Sequence, residues 1–349
     1  MSTIVSTLLS RAVVDGALPL IDSRIEASRR PFDLPGILRP HPTSRAWSTT
    51  HFGVFVPDLP APYRYVNTMT LIGAPGAELF DQDHLAAADA RDTTTVLSST
   101  AYGDQHFYRA YDLSADCDFA EDGSSLRWGD ELEIGVDLPR VTVRGRYPGF
   151  DVDLELEVTD QASYFVKTPI YDHLSLAAPY TGTVDGHPVE GLGTFEYARM
   201  RTHQALTRRP VPGPLKLPID FFTYQIIDLD ESTQILLTDV RARGRIACRL
   251  AHVRTLGRPA EVYDDVRLDV LESREVTDDR GRVMTVPVHF RWTVRDGAED
   301  VLALEGYADS TLRYGHGRGY VGAYTYAGAY RLDKVAGSAY LEWVDTRRS

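Results

Sequence analysis

Hydrophobic and polar positions alternate in short runs that predict β-strands along most of the chain. The clearest run covers residues 152–159, where Val152, Leu154, Leu156 and Val158 alternate with acidic residues. A period of two is typical of a strand with one face in a core and the other in water. Further β-rich runs, separated by Gly, Pro, Asp and Ser, cover residues 51–56, 63–72, 93–102, 106–113, 131–136, 140–147, 221–229, 234–242, 245–252, 266–271 and 286–294. Short strands at this spacing predict an all-β sandwich or barrel and argue against βαβ units.

Helical periodicity is clear only near the N-terminus. Apolar residues recur there at spacings of three and four and predict an amphipathic helix ending near residues 16–19: Ile4, Val5, Leu8, Leu9, Ala12 and Val13. The segment is too short and too polar to span a bilayer, and it lacks the basic region that begins a signal peptide. We therefore expect a cytoplasmic protein without stable membrane insertion. The helix is expected to pack on the body of the protein or to form a contact in a homo-oligomer.

A stretch rich in Arg and Pro divides the strand pattern into two parts. Residues 208–218 read RRPVPGPLKLP, which cannot form a central strand and is typical of a linker. The predicted organisation is an N-terminal helix and extended arm at residues 1–44, a first barrel at 45–207, this linker, and a second barrel at 219–349.

An 18-residue segment, 180–197, is similar to residues 326–343 without a gap. Five positions are identical, since Tyr180, Gly182, Val189, Gly191 and Glu196 correspond to Tyr326, Gly328, Val335, Gly337 and Glu342. Phe195 and Tyr197 correspond to Leu341 and Trp343, and the central residues 184–187 and 330–333 fit hairpin turns. One copy in each half predicts that the two barrels arose by duplication.

Composition and motifs exclude several classes of function. The net charge of −13 argues against nucleic acid or an anionic membrane as a partner. Cys117 and Cys248 are too few for a disulfide framework, and neither has a zinc-type spacing. The glycine-rich run at residues 315–320 is not followed by a helical pattern, so it predicts a turn and not a phosphate-binding loop. We expect neither a metal nor a cofactor.

Several motifs resemble those of the tandem lipocalin-like superfamily, which includes carotenoid 1,2-hydratases, kievitone hydratase and attachment-protein-like lipocalins. The hairpin DFFTYQIIDLD at residues 220–230, followed by QILLTDVR at 234–241, is similar to the hairpin that opens the second half in that superfamily. The segments GLGTFEY at 191–197 and VAGSAYLEW at 335–343 are similar to the ends of its two halves. Phe221 and Phe195 stand where the superfamily commonly has tryptophan. The resemblance covers most of residues 45–345 in element order.

The resemblance implies an all-β fold of two tandem lipocalin-like β-barrels with a short N-terminal helix. It also implies cofactor-free chemistry on apolar molecules, notably the addition of water to an isoprenoid double bond. A carboxylic acid in an apolar pocket has a raised pKa and can donate a proton to an alkene, while aromatic faces stabilise the cation that forms. The expected function is therefore a hydratase or dehydratase acting on a terpenoid or a similarly apolar alcohol or alkene. Two alternatives remain open: a pericyclase or isomerase that shapes a polyene, and a non-catalytic carrier of an apolar ligand.

Four residues are candidates for catalysis, and each also has a structural interpretation. Glu196 matches an acidic position of the superfamily, but its counterpart Glu342 suggests an architectural role at a barrel rim. Asp239 could be a solvated hairpin carboxylate, His51 a half-buried structural histidine, and Tyr224 a core tyrosine with its hydroxyl at the edge. The residues expected to bind substrate are Tyr65, Asn67, His106, Tyr108, His173, Phe195 and Tyr197. Because a single site needs unique groups, we expect the chemistry where the two halves differ.

Overall fold

The computed structural model describes residues 7, 10–42, 44–80, 85–278, 280–316 and 319–347. It confirms the all-β prediction, because the strands form two large antiparallel sheets that curl into tandem lipocalin-like barrels behind a short helical N-terminus. Of the N-terminal apolar positions, residues 4, 5, 8 and 9 lie outside the described residues.

The first sheet contains twelve strands in the order β4-β3-β2-β1-β12-β11-β9-β8-β7-β6-β5, with β10 paired to β11. Its strands are β1 (Thr49–Val56), β2 (Val66–Gly73), β3 (Thr93–Thr100), β4 (His106–Asp112), β5 (Cys117–Phe119), β6 (Ser125–Trp128), β7 (Leu132–Asp137), β8 (Arg140–Tyr147), β9 (Phe150–Glu157), β10 (Ala162–Thr168), β11 (Tyr171–Val184) and β12 (His187–Met200).

The second sheet contains ten strands in the order β16-β15-β14-β13-β22-β21-β19-β18-β17, with β20 paired to β21. Its strands are β13 (Ile219–Asp228), β14 (Thr233–Ala242), β15 (Arg245–Thr255), β16 (Glu261–Tyr263), β17 (Asp265–Thr277), β18 (Val283–Asp296), β19 (Glu299–Tyr307), β20 (Arg313–Tyr314), β21 (Tyr320–Tyr330) and β22 (Asp333–Asp345). In each sheet the last strand pairs with the first, β12 with β1 and β22 with β13.

Short helices accompany the sheets. The N-terminal helix extends through Ala12–Ala17, with π-type hydrogen bonding, and continues in Leu18–Ile21, beyond the predicted end. It lies on the second barrel, where Asp15 forms an ion pair of 2.7 Å with Arg245. The remaining helical segments are Arg24–Ser28, Pro35–Ile37, Ala90–Asp92, Leu113–Asp116, His203–Leu206 and Gly213–Leu215.

The two similar segments of the sequence form hairpins with the same register. Tyr180 lies opposite Gly191 in the first barrel, and Tyr326 lies opposite Gly337 in the second. Both turns have two residues with positive φ, Asp185-Gly186 and Arg331-Leu332, which matches the twist of the strands they join.

One glycine in each hairpin permits a close approach of the next strand. A Cβ at Gly182 would collide with the carbonyl oxygen of Asp153 on β9, and one at Gly328 would collide with that of Ala303 on β19. Gly182 and Gly328 are therefore required by strand packing.

The central strands of each sheet are buried on both faces. Phe52 and Val54 of β1 point into the core of the first barrel. Phe55, on the opposite face of the same strand, packs with residues of the second barrel. All eight residues of β1 and all eight of β2 are buried, because one face lines a barrel and the other forms the interface between barrels.

Candidate active site

A group of buried polar side chains lies on the face of the first barrel that meets the second. Cross-strand partners share a face of a sheet. Glu196 on β12 lies opposite Gly53 on β1, and Ala198 lies opposite both His51 on β1 and His173 on β11. The two histidines therefore flank Glu196 on one face, away from the hydrophobic interior of the barrel.

The two imidazoles converge on the Glu196 carboxylate. Glu196 Oε2 lies 3.9 Å from His51 Nε2 and 3.7 Å from His173 Nε2. His51 Nδ1 lies 2.7 Å from the carbonyl oxygen of Thr70, which can only accept, so this nitrogen carries a proton and Nε2 faces the carboxylate. His173 Nδ1 lies 3.3 Å from the Tyr171 hydroxyl, which turns Nε2 of this ring toward Glu196 as well.

Gly53 makes room for this arrangement. A Cβ at Gly53 would lie 2.7 Å from His51 Nε2 and 2.7 Å from the ring of Phe55. In the second barrel the residue opposite Glu342 is Tyr224, so this position carries a large side chain instead. Gly53 therefore leaves space beside Glu196 in the first barrel. Tyr224 of the second barrel occupies this space.

Glu342 lies in the same chamber with different partners. The hydroxyl of Tyr340 donates a hydrogen bond of 3.0 Å to Glu342 Oε1, and Asn67 Nδ2 of the first barrel donates one of 3.3 Å to that hydroxyl. The amide oxygen of Asn67 accepts from the backbone and side chain of Ser99, which fixes its orientation. Glu342 has no cationic partner among the described residues.

The two glutamates have opposite pKa shifts. Burial alone would raise the pKa of Glu196, but its interactions with His173 and His51 lower that pKa to about 2. Burial raises the pKa of Glu342 well above its ordinary value, and the nearby charge of Glu196 raises it further. These shifts favour the ionised form of Glu196 and the protonated form of Glu342. Burial also lowers the pKa of His173, which leaves this imidazole neutral and able to accept a proton.

Unpaired polar atoms point into the chamber between these groups. Glu196 Oε1, His173 Nε2 and the Tyr224 hydroxyl are buried without a hydrogen-bond partner in the described protein. The chamber has a volume of about 60 Å³, which is enough for a water molecule beside a small reacting group. Buried polar groups generally have partners, so a water molecule or a substrate hydroxyl is the expected one here.

Aromatic rings surround the chamber. The ring of Tyr224 contacts Phe55 and Phe165 at centroid distances of 6.1 and 5.0 Å. Phe80 and Phe222 complete the wall. These faces can stabilise a carbocation electrostatically.

The same donor set could also hold a metal ion. One donor atom each from His51, His173 and Glu196 lie within 4.8 Å of one another, the one such group in the part of the chain that the structure describes. Imidazole nitrogen and carboxylate oxygen suit zinc and other divalent transition metals, and the Thr70 carbonyl would orient His51 as an outer ligand does. No sequence motif indicates this set, because its members come from three different strands and β1 is far from β11 and β12 in the chain.

Two further residues of the interface were not predicted. Arg254 of the second barrel is fully buried and donates to the Ser175 carbonyl oxygen at 3.0 Å, so its positive charge lies close to Glu196. His316 lines the chamber and donates through Nε2 to the carbonyl oxygen of Met69 at 3.0 Å. A buried polar residue within an apolar strand, as at Arg254, is the one sequence signal that could have indicated them.

The other predicted residues lie around the chamber or away from it. Asp239 forms ion pairs with Arg241 and Arg249, at 2.6 and 3.0 Å, on a different part of the second barrel. Phe195 and Tyr197 both pack against Phe52 inside the first barrel. Three residues border the interface: Tyr65 packs on Tyr340, Tyr108 packs on His316, and His106 contacts the Tyr314 carbonyl oxygen.

A larger apolar cavity adjoins the chamber. It has a volume of about 340 Å³ and shares Phe80, Tyr171, His173, Met200 and Phe222 with the chamber. One side of this cavity is formed by the helical N-terminus, through residues of Ala12–Ala17 and Leu18–Ile21. An apolar substrate could therefore reach the polar groups through it.

Among the described residues, no helix is long and apolar enough to cross a membrane.

Comparisons with known proteins place the chain in a family and support the fold. The family model "Family of unknown function (DUF6670)" matches residues 69–349. No curated protein has a significantly similar sequence. An AttH-like protein from Nitrosomonas europaea has a TM-score of 0.59 at 13% identity, over 91% of this chain and 98% of that one. Kievitone hydratase from Nectria haematococca has a TM-score of 0.56 at 10% identity, over 89% and 92%. These structures share the tandem lipocalin-like fold.

Proposed function

The chain belongs to the DUF6670 family of unknown function, and we propose that it is a hydro-lyase that uses acid–base chemistry on a terpenoid or similarly apolar alkene or alcohol. The observation that carries the proposal is the pair of glutamates in one buried chamber, Glu196 beside two histidines and Glu342 beside a tyrosine hydroxyl, with pKa values shifted in opposite directions. Two titratable groups with opposite pKa shifts are the usual form of an acid–base pair.

In the hydration direction, Glu342 is the acid and His173 the base. Glu342 donates its proton to one carbon of the double bond, and the aromatic walls stabilise the cation on the other carbon. A water molecule attacks the cationic carbon, and His173 Nε2 takes a proton from this water molecule. The ionised Glu196 then stabilises the imidazolium. Dehydration follows the same steps in reverse. A proton returns from His173 to Glu342 to complete the hydration cycle, and a proton passes from Glu342 to His173 to complete the dehydration cycle.

Turnover with labelled water tests the proposal. The full chain would be incubated with a panel of terpenoid alkenes and tertiary alcohols in water enriched in heavy oxygen, with and without added zinc and with a chelator. We expect an alkene to gain one labelled oxygen, or an alcohol to lose water, irrespective of metal. No gain or loss of water across the panel would overturn the proposal. An apolar ligand that copurifies in equal amount, without turnover, would indicate a carrier.

The activity should decrease as pH rises through the raised pKa of Glu342, because only the protonated acid can donate to the alkene. A carboxyl group with the ordinary value of 4.5 would already be ionised at neutral pH. We therefore expect kcat/KM to persist well above pH 4.5 and to fall only at the higher pH at which Glu342 loses its proton. A profile that declines around pH 4.5 would contradict the assignment of Glu342 as the acid.

A further inference from the structure

The apolar cavity opens to the surface beside a group of cationic side chains. Ile21, Thr168 and Arg201 line both this cavity and an open depression, so the two adjoin. The depression is also lined by Lys167 and Arg199. The depression, the apolar cavity and the chamber that contains Glu196 and Glu342 therefore lie next to one another in this order, which we take as the path of a substrate from solvent.

The open depression forms the mouth of the cavity. Arg201 is the cation at this mouth that is available to bind an anion. Lys167 and Arg199 both pair with Asp172, at 3.1 and 2.8 Å. Arg201 has no carboxylate partner among the described residues, and its guanidinium stacks on Trp47 at 4.3 Å. Arg199 stacks on the same indole at 4.5 Å. Stacking orders the guanidinium but leaves its N–H groups available to an anion.

The mouth is positive within an acidic protein. Its lining contains three cations and one carboxylate, whereas the whole chain has a net charge of −13. Burial and the charges of Arg199, Arg39 and Arg201 lower the pKa of the neighbouring His41 to about 4, which is consistent with a positive potential there. Local charge of this sign attracts an anionic group and repels other cations.

The opposite end of the path disfavours an anion. Two buried glutamates, Glu196 and Glu342, line the chamber, and an anionic group placed beside them would lose its hydration. The cavity between the two ends has a volume of about 340 Å³, at the low end of the range for small-molecule sites. It therefore fits one hydrocarbon chain of moderate length with its reacting group inside.

We propose that the substrate is a single-chain amphiphile whose anionic end group binds Arg201 at the mouth, while its alkene or alcohol reaches the Glu196–Glu342 chamber. This inference rests on the proposed function, which places the reacting group in the Glu196–Glu342 chamber, and it adds the chemical class of the substrate. A carboxylate suits the guanidinium because both are planar and can form two parallel hydrogen bonds.

Calorimetric titration tests the inference without requiring turnover. Dodecanoate, dodecyl phosphate and dodecanol would be titrated into the full chain, into R201Q and R201K, and into R144Q as a control at an exposed arginine of β8. We expect the two anions to bind at least roughly tenfold more tightly than dodecanol. R201Q should remove that difference, R201K should keep much of it, and R144Q should change nothing.

The outcomes separate this inference from the proposed function. Equal affinity for dodecanoate and dodecanol, or an unchanged preference in R201Q, would overturn the role of Arg201 even if hydration is observed. Conversely, a preference for anions that depends on Arg201 would stand even if no hydration is found. A thermal unfolding scan of R201Q shows whether the variant is folded. If R201Q is not folded, binding of the anions and of dodecanol to the unaltered chain is compared at low and high salt. A preference for anions that weakens with salt supports the proposal, and no preference overturns it.

Discussion

Replacing Glu342 with glutamine is expected to reduce turnover by roughly 100- to 10,000-fold and to stabilise the folded protein at neutral and alkaline pH. Glutamine cannot donate a proton to an alkene, which accounts for the lost activity. Its amide oxygen can still accept the hydrogen bond that Tyr340 gives to Glu342 Oε1, so the packing is preserved.

The gain in stability follows from the raised pKa of Glu342. Between the carboxyl pKa of the unfolded chain and that of the folded protein, the folded state binds one proton more. The free energy of unfolding therefore falls as pH rises, by on the order of 1 kcal/mol for each pH unit. E342Q has no carboxyl group at this position, so its free energy of unfolding does not fall in this way as pH rises. Urea unfolding at several pH values, with E133Q on the exposed face of β7 as control, measures the difference.

An active E342Q would contradict the assignment of the acid, and it is the result expected of a protein that only shapes a polyene. An E342Q variant less stable than the unaltered chain at alkaline pH would contradict the raised pKa. The two measurements are independent, because activity reports the role of the proton and unfolding reports its affinity.

Replacing Glu196 with glutamine should also reduce turnover by roughly 100- to 10,000-fold, but with the opposite effect on stability. Glutamine cannot stabilise the His173 imidazolium that forms when the base takes a proton. The pKa of Glu196 in the folded protein is lowered to about 2, so its charge contributes stability above the pKa of the unfolded chain. That contribution is lost as pH falls toward 2.

E196Q should therefore be destabilised at neutral pH by on the order of 3 kcal/mol, and the difference should shrink under acid conditions. Urea unfolding of E196Q and E342Q under the same conditions measures both signs. If both variants shift stability in the same direction at neutral pH, the opposite protonation of the two glutamates is wrong.

The strand pattern was sufficient to predict most of the fold. The run at residues 140–147 is a strand with those bounds, and the two similar hairpins pair as their turns indicated. The predicted runs missed several strands because these are short or do not alternate cleanly between apolar and polar residues: Cys117–Phe119, Ser125–Trp128, Ala162–Thr168, Glu261–Tyr263 and Glu299–Tyr307. Residues 63–65, predicted to begin a strand, form a turn in which Arg64 has a φ of 61°.

The composition of the site was harder to predict. His173 and Glu196 lie on the two strands of the predicted hairpin, but His51 joins them only through the pairing of β1 with β12, which no local pattern specifies. Glu342 was interpreted as architectural because it has a counterpart in the first half. The structure brings both copies to one chamber, since the two barrels pack through their corresponding faces.

A signal for this interface is nevertheless present in the sequence. Residues 49–56 and 66–73 are rich in apolar and small polar residues at both odd and even positions, as expected for strands buried on both faces. Such strands must pack against a second layer, and polar residues within them therefore belong to an interface. Which layer they meet depends on the packing of two whole barrels, and strand periodicity does not report it.

The protonation of the two glutamates at neutral pH is the central claim, and infrared difference spectroscopy measures it directly. The spectrum of the unaltered chain minus that of E342Q should show the C=O band of a protonated carboxyl group. The same difference for E196Q should show only the bands of a carboxylate. A carboxylate signal at Glu342, or a protonated carboxyl at Glu196, would contradict the assignment of acid and base.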